Sequence, residues 1–203
     1  MLPKGAEYLK ELAEKIAPKY GLSPYLLLAL CYAESNYGQA LKPPGSAGTG
    51  DFIPRPSTPA RDKRMAEAPL PGVIKKKLIE GIPARKIDGP VEAWVPTTTG
   101  WGCGLVQFDY EAHFDFCRSG QWKDPAAILE QACKLLIQCR KQIIAKVVVS
   151  SEDLDKAMLA AYNAGAGAVI KALQNDVPVE GVTFHRNYVQ KILAKAQELA
   201  NNS

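Results

Sequence analysis

Three short polar segments interrupt an otherwise apolar or glycine-rich chain, and each carries side chains able to do acid–base or sugar-binding chemistry. The first is "CYAESNYG", residues 31–38, where Glu34 ends the apolar run Leu26, Leu27, Leu28, Ala29, Leu30, Cys31. At helical spacing Glu34 shares a face with Leu27 and Leu30, seven and four residues back. A carboxyl group there is partly desolvated, which disfavours its charged form and raises its pKa, as a general acid working near neutral pH requires. The competing reading is an ordinary glutamate at a helix end, open to water. The second segment is "TGWGCGLVQFDYEAH", residues 99–113. Gly100, Gly102 and Gly104 let the backbone turn sharply or approach a ligand. "LVQFDY" then alternates like a short strand, which would put Leu105, Gln107 and Asp109 on one face and Val106 and Phe108 on the other. A hairpin with its polar residues in solvent explains it equally well. The third is "AAYNAGAGAV", where Tyr162 and Asn163 end a small-residue helix; the plainer reading is an Asn-bearing C-cap.

These side chains need helices to hold them, and the pattern supplies several. Ala6, Leu9, Leu12, Ala13, Ile16 and Ala17 recur at helical spacing over 6–17. In "GLSPYLLLALCYAE", Ser23 suits an N-cap and Pro24 the first helical position, and the helix that follows is apolar nearly all round, so it should be central. "KDPAAILEQACKLLIQCRKQIIAKV" predicts a helix with Asp124 as N-cap, Pro125 first, and Ile128, Ala132, Leu135, Leu136, Cys139 and Ile143 facing in. "SSEDLDKAMLAAYNAGAG" predicts a Ser-capped helix that Gly165 can close, "GAVIKALQN" a short one, and "TFHRNYVQKILAKAQELA" the last, with Val189, Ile192, Leu193 and Ala196 inward. A small two- or three-stranded piece is expected around 90–109.

Between them the texture changes. Residues 42–99 are dense in Pro and Gly without a sustained period, apart from "GVIKKKLIEG", which could form two helical turns. Residues 52–98 hold nine Lys or Arg and five Asp or Glu, and nine minus five is +4, equal to the formal charge of the whole chain. Such a segment is long for a compact domain: either a solvated insertion or a basic lip over a binding cleft.

Composition narrows the classes. The chain has 203 residues and is 47% hydrophobic, enough for one sizeable core. A net charge of +4 with no aromatic-plus-basic motif gives no case for nucleic acid, and only weakly suits an anionic polymer such as a bacterial wall. No apolar run reaches the length of a membrane span. The N-terminus is amphipathic and charged and lacks the apolar centre of a signal peptide, so either that export route is unused or the signal has been removed. The five cysteines (31, 103, 117, 133, 139) form no CxxC pair, and only two histidines are present, so neither a zinc site nor any other metal or cofactor is expected. We read the cysteines as mostly reduced, buried small hydrophobes. No GxSxG elbow, His–Cys pairing or GK[ST] phosphate loop occurs.

Together and in this order, the segments resemble the goose-type lysozymes and the related soluble lytic transglycosylases. Those enzymes cleave the β-1,4 bond between N-acetylmuramic acid and N-acetylglucosamine in peptidoglycan. The "ES" pair that ends the family's central helix is "AESNYG" here; its "GxGLMQxD" segment is "GCGLVQFD", with His113 four residues on; its "AYNAGxGxV" is "AYNAGAGAV"; its closing helix is matched by "HRNYVQKILAKAQ". The likeness covers 22–41 and 100–200 and says little about 52–99. It implies a mainly α (α+β), lysozyme-like helical domain spanning 1–203, with a small β-hairpin and the insertion 52–99 as a lid or small lobe. It implies Glu34 as catalytic acid, and Gln107, His113, Tyr162, Asn163 and Tyr188 as the sugar-cleft lining. Two aspartates position water in goose-type enzymes. One corresponds to Asp109, and the other sits in a "GxGD" turn, for which "GTGD" supplies Asp51. The family runs from that turn directly into its Gly-rich hairpin, whereas this chain first inserts about 48 residues; Asp62 and Asp88 within the insertion are weaker candidates. The expected activity is a muramidase, inverting at the sugar carbon. The alternatives are a lytic transglycosylase giving 1,6-anhydro products, a chitinase, or a wall-binding module without turnover. The expected partner is the peptidoglycan strand, met by a monomer that is secreted or phage-borne. Deleting residues 53–97 is expected to alter substrate range more than the helical core.

Overall fold

The computed structural model describes residues 2–41, 44–53, 100–109, 112–183 and 186–202, with backbone alone at 49–53, 100, 101, 114 and 118. Among these residues the chain is mainly helical: α1 (Tyr8–Ile16), α2 (Pro24–Ser35), α3 (Phe114–Ser119), α4 (Pro125–Ile144), α5 (Ser151–Ala164), α6 (Ala166–Gln174) and α7 (Tyr188–Asn201). Strands β1 (Thr49–Ile53), β2 (Gly100–Cys103) and β3 (Phe108–Asp109) form an antiparallel sheet in that order. The chain folds as two compact units, residues 1–33 with 129–203, and residues 34–128.

In the first unit most of the expected signals hold, though Leu193 and Ala196, read as inward, are only half-buried. Leu26 and Leu27 N–H groups bond back to the Ser23 carbonyl, and α2 begins at Pro24. Residues 27–31 of α2 are buried consecutively, as a helix without a polar face must be. Burying Leu27, Leu28 and Leu30 contributes about 1.5–3 kcal/mol each relative to exposure. α4 buries Ala132, Cys133, Leu136, Cys139 and Ile143, while Leu135 is only half-buried. α5 opens on Ser150, whose Oγ accepts from Asp153 N (3.1 Å), and closes at Gly165, where φ is +83°. Its small buried face (Ala157, Ala160, Ala161) lets it pack on α6, α7 and the 3₁₀ turn at 179–182. The last helix starts at Tyr188, later than its pattern suggested.

In the second unit, Asp124 Oδ1 accepts from Ala126 N (2.9 Å), the cap expected at the start of α4. Buried Trp122 donates its Nε1–H to the Cys117 carbonyl (2.9 Å). Gly104 is required twice over: its φ is +66°, and a Cβ there would lie 2.7 Å from the Trp122 carbonyl and 2.5 Å from Ile128 Cδ1. β1 pairs with β2 from Thr49 opposite Cys103 to Ile53 opposite Gly100, with a register irregularity between Thr49 and Phe52. β3 pairs Phe108 with Cys103 and Asp109 with Gly102.

Two expectations are corrected. "LVQFDY" is not a continuous alternating strand: residues 104–107 turn, Gln107 takes φ +53°, and among its described residues only Phe108 and Asp109 extend. The alternation that put Gln107 and Asp109 on one face therefore does not apply. "GTGD" is not a bare turn either, since Thr49–Ile53 is a strand. All five cysteines are buried, as expected of small hydrophobes. Burial pushes the Cys133 thiol up to about 12 and the Cys139 thiol up to about 11. The "GVIKKKLIEG" helix, Asp62, Asp88 and the lid or lobe expected over 52–99 lie outside the described residues, Phe52 and Ile53 of β1 excepted.

Candidate active-site segment

Glu34 is the penultimate residue of α2 and is half-buried. The residue after it holds that helix end in place. Ser35 is buried, its Oγ donates to the Leu105 carbonyl (2.7 Å) and it accepts from Gly38 N (2.9 Å). The backbone then reverses through three left-handed residues, Asn36 (φ +49°), Tyr37 (+56°) and Gly38 (+88°). Gly45 N bonds to the Gly38 carbonyl (3.0 Å) and Gly104 N to the Gly48 carbonyl (3.1 Å). The helix end, the "GSAGTG" stretch and the Gly-rich hairpin are thus stitched together by main-chain bonds, which glycine permits by letting backbones approach.

The hairpin carries the next groups. Gln107 bends back so that its Nε2 donates to the Gly104 carbonyl (2.8 Å). The side chain fills the space above Gly102, where an added Cβ would sit 2.6 Å from Gln107 Cδ. Asp109 is half-buried; its Oδ1 accepts from Ala112 N (2.9 Å) and its carbonyl from His113 N (3.0 Å). The His113 ring stands edge-on to Phe108 at 4.7 Å. Burial holds its pKa below the usual imidazole value, against the opposing pull of the Asp109 charge. Asp51 lies on β1 within the register irregularity, so its backbone belongs to the same sheet as Asp109.

Glu34, Gln107, Asp109, His113 and the backbone of Asp51 all fall in the second unit. Tyr162, Asn163 and Tyr188 fall in the first. There Tyr162 and Asn163 are half-buried in the last turn of α5, and Tyr188 is buried at the start of α7. The Glu180 carboxylate fixes that start, accepting from Thr183 Oγ1 (2.9 Å), Val189 N (3.2 Å) and Gln190 N (2.9 Å). Lys191 and Lys195 of α7 flank the Tyr32 ring of α2 at 5.4 and 4.8 Å, contacts of roughly 0.5–1 kcal/mol each where exposed.

Sequence reasoning missed Ser35 and Glu180 as positioning residues. Ser35 read only as a helix-ending residue, and its partner lies 70 residues on. Glu180 caps a helix that begins eight residues later, beyond any local capping pattern. Among the described residues no cluster of His, Cys, Asp or Glu could hold a metal ion, and no helix is long and apolar enough to cross a membrane. No protein-family model matches the chain, and comparison with curated proteins gives no match either.

Proposed function

We propose that this protein is a lysozyme-like peptidoglycan hydrolase, with Glu34 as general acid. The observation that carries the reading is the Ser35–Leu105 hydrogen bond, which ties the residue after Glu34 to the segment bearing Gln107, Asp109 and His113. A carboxyl on a rigid helix end, joined to a second carboxylate on a tight hairpin, is the layout that glycoside cleavage uses. Glu34 gives its proton to the glycosidic oxygen as the bond from that oxygen to the sugar carbon breaks. Water adds to the carbon from the opposite face and passes a proton to Asp109, assisted by Asp51. That inverting route requires the two carboxyl groups about 6.5–9.5 Å apart. His113 and the amide of Gln107 would meet sugar hydroxyls, and by resemblance Tyr162, Asn163 and Tyr188 would also contact sugar.

Lytic transglycosylation is the second reading, and one observation favours it. Asp109 Oδ1 already accepts from Ala112 N, a structural use for a group that transglycosylation does not need. There Glu34 protonates the leaving oxygen, then accepts the proton of the muramic 6-hydroxyl as that hydroxyl closes on the sugar carbon. Mass spectrometry of digested wall separates the two: reducing-end muropeptides support hydrolysis, 1,6-anhydromuropeptides the alternative. Glu34→Gln should remove either product while leaving the helical signal intact. If wild type and Glu34→Gln clear walls equally, or if neither does, the assignment of Glu34 fails. Preferential cleavage of chitin oligomers would move the substrate to N-acetylglucosamine polymers.

A further inference from the structure

The first unit carries a groove of about 570 Å³ that shares no residue with the Glu34 segment. Tyr20 forms one wall, and the outer face of α4 forms the other. The α4 residues on it include Lys134, Ile137, Gln138, Lys141 and Gln142. They follow helical spacing, so the stripe is continuous, and with Ala145 at its far end it runs for roughly 16 Å at the helix rise. From Gln131 to Ser150 the sequence has four cations (Lys134, Arg140, Lys141, Lys146) and no acid. The carboxylate of Glu130 is engaged by the Tyr20 hydroxyl (2.9 Å) and Lys134 (3.1 Å).

We propose that this groove is a second binding site for an anionic glycan strand, one that holds the protein on the polymer through residues other than those of the cleavage site. The chemistry on its walls matches such a strand. A phenol ring and the Ile137 side chain offer flat apolar surface to the C–H face of a sugar. The Gln138 and Gln142 amides can donate to and accept from hydroxyls. Lys134 and Lys141 meet carboxylates along the strand. An elongated, concave stripe whose adjoining carboxylate, Glu130, is held by Tyr20 and Lys134 suits a linear polymer better than a compact anion or a flat bilayer. Identifying the polymer as peptidoglycan, through its stem-peptide carboxylates, rests on the reading of the Glu34 segment given above.

The test is co-sedimentation of the full chain carrying Glu34→Gln with insoluble peptidoglycan, at low and high salt. Lys134→Gln with Lys141→Glu should weaken binding roughly tenfold at low salt and remove much of its salt dependence. Without Glu34→Gln, the same double variant should cleave a short soluble muropeptide at the wild-type rate. Gln142→Arg should tighten wall binding, a gain that misfolding cannot imitate. Unchanged binding in both variants would overturn the proposal. So would equal retention on uncharged chitin, or loss of binding to phosphatidylglycerol vesicles but not to wall, which would make the stripe and the nearby exposed Ile144 and Val148 a lipid-facing surface. A chain that binds wall through Lys134 and Lys141 yet releases no muropeptide keeps the groove and sinks the hydrolase reading instead.

Discussion

Replacing Ser35 with alanine removes one oxygen and separates two jobs of the α2 terminus. The hydroxyl donates to the Leu105 carbonyl at 2.7 Å and accepts from Gly38 N at 2.9 Å. Gly38 N keeps a second acceptor, the Ser35 carbonyl at 3.1 Å, so its loss is partly covered. The Leu105 carbonyl belongs to a fully buried residue and loses a short bond. Stranding one such acceptor costs about 1–3 kcal/mol. At about 2–4 °C per kcal/mol for a chain of this size, the melting temperature should fall by roughly 2–12 °C. Activity should fall further than stability, because a shift of about 1 Å in a catalytic group can cost around a hundredfold in rate. Circular dichroism melts, paired with wall-clearing rates well below the transition, read both effects. Ser35→Thr keeps the hydroxyl and should recover part of each. If Ser35→Ala melts and clears walls like wild type, the bond to Leu105 does not position Glu34.

Two further outcomes follow from the hairpin. Burial depresses the His113 pKa, so as pH falls through about 6.5 the unfolded chain takes up a proton that the folded chain declines. His113 thus lowers stability as pH falls through that window and has no such effect above it; thermal melts between about pH 7 and pH 5 should show a shallower decline for His113→Gln. Gly102→Ala would drive a Cβ to 2.6 Å from Gln107 Cδ and 2.9 Å from Gln107 Cβ, costing about 1–3 kcal/mol as overpacking. Adding Gln107→Ala should restore most of that stability without restoring activity; a double variant no more stable than Gly102→Ala alone would show that the clash lies elsewhere.

The helices were legible because their signals are local. Asp124–Pro125 starts α4, Ser150 starts α5 and Gly165 ends it, each within one turn of the feature it controls. The hairpin was less legible because two left-handed residues, Gly104 and Gln107, break an alternation that hydropathy alone presents as a strand. β1 was missed for a different reason. Its partner β2 lies 47 residues on, and a pairing across that distance leaves no mark on the local pattern of "GTGDFI". The same holds for the candidate site. Glu34 stood out as a carboxylate on an apolar helix, but the bond that fixes it reaches from Ser35 to Leu105. What the sequence presents as separate motifs is joined by backbone groups that every residue carries and by one serine hydroxyl.

Asp109 is the residue on which the two chemistries divide, and its structural bond provides the means to separate them. Asp109 Oδ1 accepts from Ala112 N, a bond that turns the chain toward α3. An ionised carboxylate offers about four lone-pair sites, so capping this turn and taking a proton from water are compatible uses of one side chain. Asparagine keeps a carbonyl oxygen for Ala112 N but cannot act as a base. Asp109→Asn should therefore melt close to wild type, within the roughly 0.5–1.5 kcal/mol that a weakened hydrogen bond is worth. If Asp109 is the base, the same variant should lose about 10²–10⁴-fold in wall cleavage. Asp109→Ala removes both functions and should fall in stability as well. Under transglycosylation the order changes: Asp109→Asn keeps its activity, and only Asp109→Ala, which frees the turn, is impaired. An Asp109→Asn variant that retains both its melting temperature and its rate would remove Asp109 from the chemistry and leave Glu34 to act alone as acid and then base.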